Sequence, residues 1–285
     1  MLENILMDLI EKTAAYLPDD VMEKLRAARD EERNERAKRI YDIMFENIEL
    51  AQKKNVPLCQ DTGVLEFFVR VGSEFPDPGA IKEAIMEATA EATEKVPLRP
   101  NAIEEDGKGE RNTGNNIGSK IPWIEWEIVE GNEAEITLYL AGGGASLPGA
   151  SKVIPPHSEN VEDIVVSRIA QYGANACPPL FIGIGIGATS EIAAMLSKKA
   201  IVAPFGKESE EESAIREKIN ALNIGPQGFG GKTSALAVRI ERSARHPAAF
   251  AIGLSTGCWA HRRGIVRIER DLSYEIISHR RLEKK

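Results

Sequence analysis

Cysteine and histidine are scarce, with three Cys and four His in 285 residues. An odd number of cysteines cannot pair off fully as disulfides. Cys59, Cys177 and Cys258 are also spaced too widely for the tight CxxC-type pairs of a zinc finger. Long apolar runs are missing: no stretch approaches 18 consecutive apolar residues, so no membrane-spanning helix is expected. Basic charge is in deficit. The 36 Lys and Arg against 44 Asp and Glu leave a net charge of −8, which argues against a general nucleic-acid or anionic-membrane surface. The N-terminus (Met1 to Asp8) lacks a basic segment and carries early acids, unlike a secretory signal. Together with the sparse cysteine, this leads us to expect a reducing cytoplasm. Internal repeats, low-complexity tracts and clear linkers are absent as well.

The patterning that is present indicates an α+β chain. Residues 1 to about 96 read mostly as helix: Leu2, Ile5, Leu6, Leu9 and Ile10 recur at helical spacing, and Ala37 to Leu50 form a broad apolar face. From residue 101 to 122 a long polar loop intervenes. The period then switches to two over Trp123–Val129 and Ala134–Leu140, with Gly131-Asn132 as a hairpin turn between them. Further helices are expected at 161–172, after residue 187 and at 208–222, and strands at 180–185, 234–241, 248–254, 264–269 and 273–278. The expected architecture is one domain over residues 1–285. Its helical N-terminal layer (about 1–100) packs on a mixed β-sheet with helices (about 101–285), and its functional loops lie at element ends.

Two motifs invite a nucleotide reading and fail it. Gly183-Ile184-Gly185-Ile186-Gly187-Ala188 loosely fits GxGxxA, but the acidic residue a dinucleotide site wants about 20 residues on is missing. Its glycines are expected to allow close packing of strand on helix. Gly231-Lys232-Thr233 ends like a phosphate loop, but Pro226 stands where the first glycine belongs. A strand follows where a helix N-terminus is needed.

Each cysteine lies in a short segment built like a ligand loop: Pro57-Leu58-Cys59-Gln60-Asp61-Thr62-Gly63, Asn175-Ala176-Cys177-Pro178-Pro179 and Thr256-Gly257-Cys258-Trp259-Ala260-His261. Three thiolates suit a [4Fe-4S] cluster in which one iron has no protein thiolate. Such an iron can bind substrate oxygens as a Lewis acid. The run Gly142-Gly143-Gly144 leaves bare backbone N–H groups that another molecule can approach, or else is a flexible turn. An anionic substrate would need local cations. The candidates are Arg99, Arg111, Lys152, Lys232, Arg245 and the pair Arg262-Arg263, each of which also reads as a solvated surface charge. His246 stands 12 residues before Cys258, a placement that raises its odds over those of an ordinary structural histidine.

Taken together, these segments resemble the iron–sulfur hydro-lyases of the class I fumarate hydratase family, in particular the α subunit of the two-subunit form. They are similar as well to the L(+)-tartrate dehydratase α subunit. The resemblance rests on the three cysteine loops in order and on Leu98-Arg99-Pro100, Arg111-Asn112-Thr113-Gly114, Gly142-Gly143-Gly144, Gly228-Phe229-Gly230-Gly231-Lys232 and Cys258-Trp259-Ala260-His261-Arg262-Arg263. It implies that Cys59, Cys177 and Cys258 ligate the cluster. Gln60, Asp61, Arg99, a backbone amide of Gly142, Gly143 or Gly144, and His246 would line the substrate site, with Asp61 and His246 in catalytic roles. Asn115 departs from the aspartate common in relatives and takes no role. The resemblance also implies a separate β subunit that brings the C3 base, in an α2β2 assembly. Reversible hydration of fumarate to (S)-malate is the first expected reaction, and dehydration of tartrate is the alternative. A reading of another class is a non-catalytic metal-binding or redox-sensing module.

Overall fold

The computed structural model describes residues 1–280. In chain order the helices are α1 (Leu2–Ala15), α2 (Asp19–Glu31), α3 (Glu35–Lys54), α4 (Pro78–Lys95), α5 (Val161–Tyr172), α6 (Ser190–Val202) and α7 (Glu210–Asn220). The strands are β1 (Val64–Gly72), β2 (Ile103–Glu105), β3 (Glu110–Asn112), β4 (Trp123–Val129), β5 (Ala134–Ala141), β6 (Ala150–Ile154), β7 (Leu180–Gly187), β8 (Ala235–Arg242), β9 (Phe250–Gly257), β10 (Arg263–Ile268) and β11 (Tyr274–Ile276). The α+β expectation is met. Among the described residues no helix is long and apolar enough to cross a membrane.

Packing divides the chain into two units that interleave along the sequence. One holds Met1–Asp19, Asn47–Gly142 and the segment from Arg262 onward; the other holds Asp20–Glu46 and Gly143–His261. The composition change near residue 100 is therefore not a packing boundary, and both units mix helix with strand.

The first unit is built on a five-stranded sheet of order β11-β10-β5-β1-β4. Helices α1 and α4 cover one face, where Leu6, Leu9, Ile81 and Ile85 pack with Phe67, Val69, Ile136 and Leu138. Two expectations are corrected here. Residues 64–72 form a strand and not part of a helical layer; the run Val-Leu-Glu-Phe-Phe-Val-Arg-Val is rich in β-branched and aromatic residues, which favour a pleated surface. The hairpin expected at Gly131-Asn132 does not pair its own arms. Strand β1 lies between them, parallel to β4 and antiparallel to β5. The turn folds over the end of β1, where the Gly72 N–H donates to Glu133 O at 2.8 Å and the Ser73 N–H to Val129 O at 2.8 Å.

The second unit carries a four-stranded sheet of order β6-β9-β7-β8. Alternation along the strands sorts its faces. Ile182, Ile184, Ile252 and Leu254 pack with Val165 and Ile169 of α5 and Ile215 and Ile219 of α7. On the opposite face β7 presents Gly183, Gly185 and Gly187, and α6 packs there. A Cβ added at Gly185 would lie 2.0 Å from the Ala193 carbonyl oxygen, and one at Gly183 would lie 2.2 Å from that of Ser197. The glycine run thus serves close packing, as expected, and β8 follows the Gly231-Lys232-Thr233 segment as a strand. The outer edge of β8 is not left open: the Val238 N–H donates to Glu208 Oε1 at 2.9 Å and the Ile240 N–H to Glu212 Oε1 at 2.8 Å. Carboxylates on an edge deny it to another strand.

Candidate active site

In the first unit the segment after α3 is tied to α1 before it reaches the cysteine. The Leu58 N–H donates to Ala14 O at 2.9 Å, and Asn47 Nδ2 donates to Leu58 O at 3.1 Å. Cys59 follows half-buried, then exposed Gln60 and half-buried Asp61. Asp61 Oδ1 accepts the Gly63 N–H at 3.0 Å, closing a turn that leaves Oδ2 outside that bond. Gly63 itself must be glycine. Its φ is +80, and an added Cβ would meet the backbone of Leu140 at 2.8 Å. That approach places the cysteine loop against the end of β5, where Gly142 begins the glycine run.

Arg99 arrives by a buried polar network. The Arg99 N–H donates to Thr62 Oγ1 at 2.9 Å, and Asn101 Nδ2 donates to Thr62 Oγ1 at 3.2 Å and to Gly63 O at 2.9 Å. Asn116 is buried and has a φ of 61. Its Nδ2 donates to Arg99 O at 3.0 Å, and its Oδ1 accepts the Asn101 N–H at 2.7 Å. Segments 59–63 and 99–101 are thereby locked side by side. Sequence reading missed Thr62, Asn101 and Asn116 as residues of the site. The available signal was that all three are small polar residues inside or beside the recognised motifs, where such side chains bond to backbone.

The second unit assembles its own cluster of loops at one sheet end. Strands β7 and β9 are antiparallel, with Phe181 opposite Gly257. Cys177, just before β7, and Cys258, just after β9, therefore share that end, and the Trp259 N–H donates to Cys177 O at 3.3 Å. Cys177 is exposed and has a φ of 55, a left-handed conformation that costs a non-glycine residue about 1–2 kcal/mol. The Gly225–Gly231 loop supports the cysteine from below, its Gln227 N–H donating to Pro178 O at 2.7 Å. Glu32 holds that loop in turn by accepting the Lys232 N–H at 2.8 Å. Thr256 Oγ1 donates to Ala145 O at 2.5 Å, which brings the turn containing exposed Gly143 and Gly144 to the same end. His261 anchors the Cys258 segment. It is buried against the rings of Phe181 and Phe205 at 4.9 and 5.4 Å, and its Nε2–H donates to Ile201 O at 3.0 Å.

His246 does not join the two cysteines. It lies exposed in the β8–β9 loop, where its Nδ1 accepts the Ala248 N–H at 3.1 Å. The eight residues of β9 run fully extended between that loop and Cys258. At about 3.3 Å per residue this is roughly 26 Å. Twelve residues of sequence separation do not bring the two together because a strand, not a turn, fills the gap.

The candidate cations separate in the same way. Arg111 pairs with Glu104 at 2.7 Å, Lys152 with Glu159 at 2.7 Å, and Lys232 with Glu31 at 2.6 Å. The last contact holds the Glu31 carboxyl below its usual value. Arg245 lies over the Phe250 ring at 5.3 Å. Arg99 is exposed, and among the described residues its guanidinium has no ion-pair or hydrogen-bond partner. Arg262 and Arg263 are 2% and 1% exposed, so the surface-charge reading fails for them.

A metal–thiolate centre fits this chain on two observations. All three cysteines are thiols, none in a disulfide, and each ends a loop fixed by backbone bonds or by glycine. Arg262 has its Nε and Nη1 buried with no hydrogen-bond partner among the described residues, a cation that calls for an anion. No three His, Cys, Asp or Glu among the described residues gather as they would around a single ion. A cubane does not ask for that, since its thiolates bind separate irons.

Known proteins extend this picture. A model described as fumarate hydratase (Fumerase) matches residues 3–267. The L(+)-tartrate dehydratase α subunits of Escherichia coli and Shigella sonnei are each 45% identical over 289 aligned positions, covering 98% of this chain and 95% of the relative. A putative L(+)-tartrate dehydratase α subunit of Methanocaldococcus jannaschii is 36% identical, covering 95% of this chain and 98% of the relative. The class these matches define is that of the hydro-lyases, enzymes that add or remove water at a carbon–carbon bond. Within it, the chain belongs to the fumarate hydratase family.

Proposed function

We propose that this chain is the cluster-bearing α subunit of a two-subunit hydro-lyase acting on a four-carbon dicarboxylate, with fumarate and (S)-malate as the first substrate pair. The observation that carries the reading is the Thr62 bridge. It ties a partnerless guanidinium, Arg99, to the segment holding Cys59, Gln60 and Asp61. Cys59, Cys177 and Cys258 would hold a [4Fe-4S] cluster. When bound, that group supplies a Lewis acid to a hydroxyl that is otherwise a poor leaving group.

The remaining work falls to side chains and backbone. Arg99 binds a substrate carboxylate through paired N–H donors, a geometry lysine cannot reproduce. Gln60 and the amides of Gly142 to Gly144 orient the second carboxylate and the hydroxyl. Asp61, two residues from Cys59, passes a proton through its carboxyl to the departing oxygen and takes it back in the hydration direction. His246, a strand length from Cys258, has no part in this chemistry within one chain. Among the described residues no candidate base for the C3 proton stands beside these groups. A β subunit is the proposed source, in an α2β2 assembly, and the "subunit alpha" names of the relatives support it. A cytoplasmic site suits an oxygen-sensitive centre.

The relatives' names favour a second substrate reading, L(+)-tartrate, by the same chemistry on a molecule with one more hydroxyl. The test is to reconstitute the chain with iron and sulfide without oxygen and assay it with and without its candidate β partner. Fumarate, malate and L(+)-tartrate are compared side by side. Turnover only with both subunits is expected. Full activity from the isolated chain would sink the division of labour, and turnover of tartrate alone would move the substrate assignment.

A further inference from the structure

The sequence offers Arg262 as one more surface cation, yet its side chain is 2% exposed. Among the described residues no carboxylate pairs with it, and its Nε and Nη1 make no hydrogen bond. A buried guanidinium left in this state is costly, because its desolvation goes uncompensated. Chains keep such a group where an anion meets it.

The place of Arg262 within the first unit indicates which anion. Its carbonyl accepts the Leu140 N–H at 3.1 Å, so the β5–β10 ladder runs one residue past Arg263. Gly264, two residues on, faces α1: a Cβ there would lie 2.0 Å from Thr13 Oγ1. Alternation puts Arg262 on that same side, toward the last turn of α1. The last turn of α1 is also where Ala14 O receives the N–H of Leu58, the residue before Cys59. Leu140, the ladder partner of Arg262, is the residue whose backbone Gly63 touches on the far side of the same cysteine loop. Arg262 thus pairs with the strand end against which Gly63 of the Cys59 loop lies, and Arg262 follows Cys258 by four residues.

We propose that Arg262 is the buried counter-charge of the metal–thiolate centre, donating its Nε and Nη1 protons to thiolate or sulfide sulfur. This rests on the cluster reading above. A three-thiolate [4Fe-4S] centre in its ordinary oxidised state carries net negative charge, and donors to sulfur raise its reduction potential. Arg262 is a positioning and charge-balancing residue that touches no substrate atom.

The test uses the full chain, reconstituted without oxygen, as wild type, Arg262→Met and Arg262→Lys. Iron per chain, the midpoint potential of the 2+/1+ couple followed by electron paramagnetic resonance, and thermal unfolding of the iron-free chains are measured. Arg262→Met should retain several-fold less iron, and its remaining clusters should titrate at a more negative potential. Its iron-free form should unfold no lower than wild type, because it buries no unpaired cation. Arg262→Lys keeps the charge but not the paired donors and should fall between. Wild-type iron content and potential in both variants would overturn the proposal. So would an iron-free Arg262→Met chain that unfolds well below wild type. If Arg262→Met does not fold, a wild-type potential in Arg262→Lys decides against it. A wild-type chain that takes up no iron would overturn the cluster reading as well, whereas a loaded wild type with unchanged variants overturns this inference alone.

Discussion

The first unit fixes its cysteine loop largely through side-chain bonds, whereas main-chain bonds carry more of the frame around the second unit's two cysteines. Thr62, Asn101 and Asn116 spend their polar atoms on the backbone around Gly63 and Arg99. Around Cys177 and Cys258 the bonds run from one backbone to another, Trp259 to Cys177 and Gln227 to Pro178, at the end of an antiparallel strand pair. A side-chain network can be broken by one substitution at a polar residue. A main-chain frame tolerates polar changes but depends on residues that lack a side chain.

The deepest break should come from either unit's thiols. Cys59→Ser, Cys177→Ser or Cys258→Ser should each abolish retention of the expected four or so irons per chain. Iron analysis after anaerobic reconstitution checks this, and full loading of any one variant would remove that cysteine from the ligand set. Next in size is Asp61→Asn, which should leave iron in place and lower kcat by about 10²–10⁴, the range of a lost general acid. Near-normal turnover would take Asp61 out of the mechanism.

Stability separates the two frames. Gly185→Ala forces a methyl onto the Ala193 carbonyl oxygen at 2.0 Å and should cost about 1–3 kcal/mol or more by overpacking. Gly206→Ala, which meets nothing within 4 Å, should stay within about 0.5 kcal/mol. Denaturant unfolding of the pair sharpens the contrast, and equal values would refute the glycine argument. In the first unit, Thr62→Val leaves the Arg99 N–H and Asn101 Nδ2 without their acceptor. It should cost about 1–3 kcal/mol and raise KM through the loosened Arg99. Unchanged KM would mean that the network serves stability alone.

The smallest effect lies far from either cysteine frame. Burial alone would raise the Glu212 carboxyl, but the N–H groups of Ser209 and Ile240 outweigh it and hold the group below its ordinary 4.5. A depressed folded value means stability present above the unfolded pKa and lost as pH falls through the folded one. Glu212→Gln should therefore lower stability at neutral pH by about 0.5–1 kcal/mol for a weakened capping contact, read as a slightly lower Tm. The difference should begin to shrink as pH falls below 4.5 and vanish only below the lowered folded pKa. A gap that persists in acid would mean the charge is not its source.

What the sequence determined by itself is local. Apolar spacing located α5 at Val161–Tyr172, and alternation located β8 and β10 to within a residue or two. The glycines of β7 were legible as packing glycines, because close packing depends on residue type and immediate neighbours; the ligand role proposed for the three cysteine loops rests on the same kind of local signal. Tertiary structure decided the rest. Gly131-Asn132 has hairpin chemistry, yet β1 separates the arms, since strand order is set by pairings across some 60 residues that no local pattern records. His246 stands a strand away from Cys258 because an extended segment carries its ends apart however near they are in sequence. Arg262 reads as a solvated charge until the β5–β10 ladder carries it into the interior. The burial of a cation depends on which elements pack around it, and sequence does not count those neighbours.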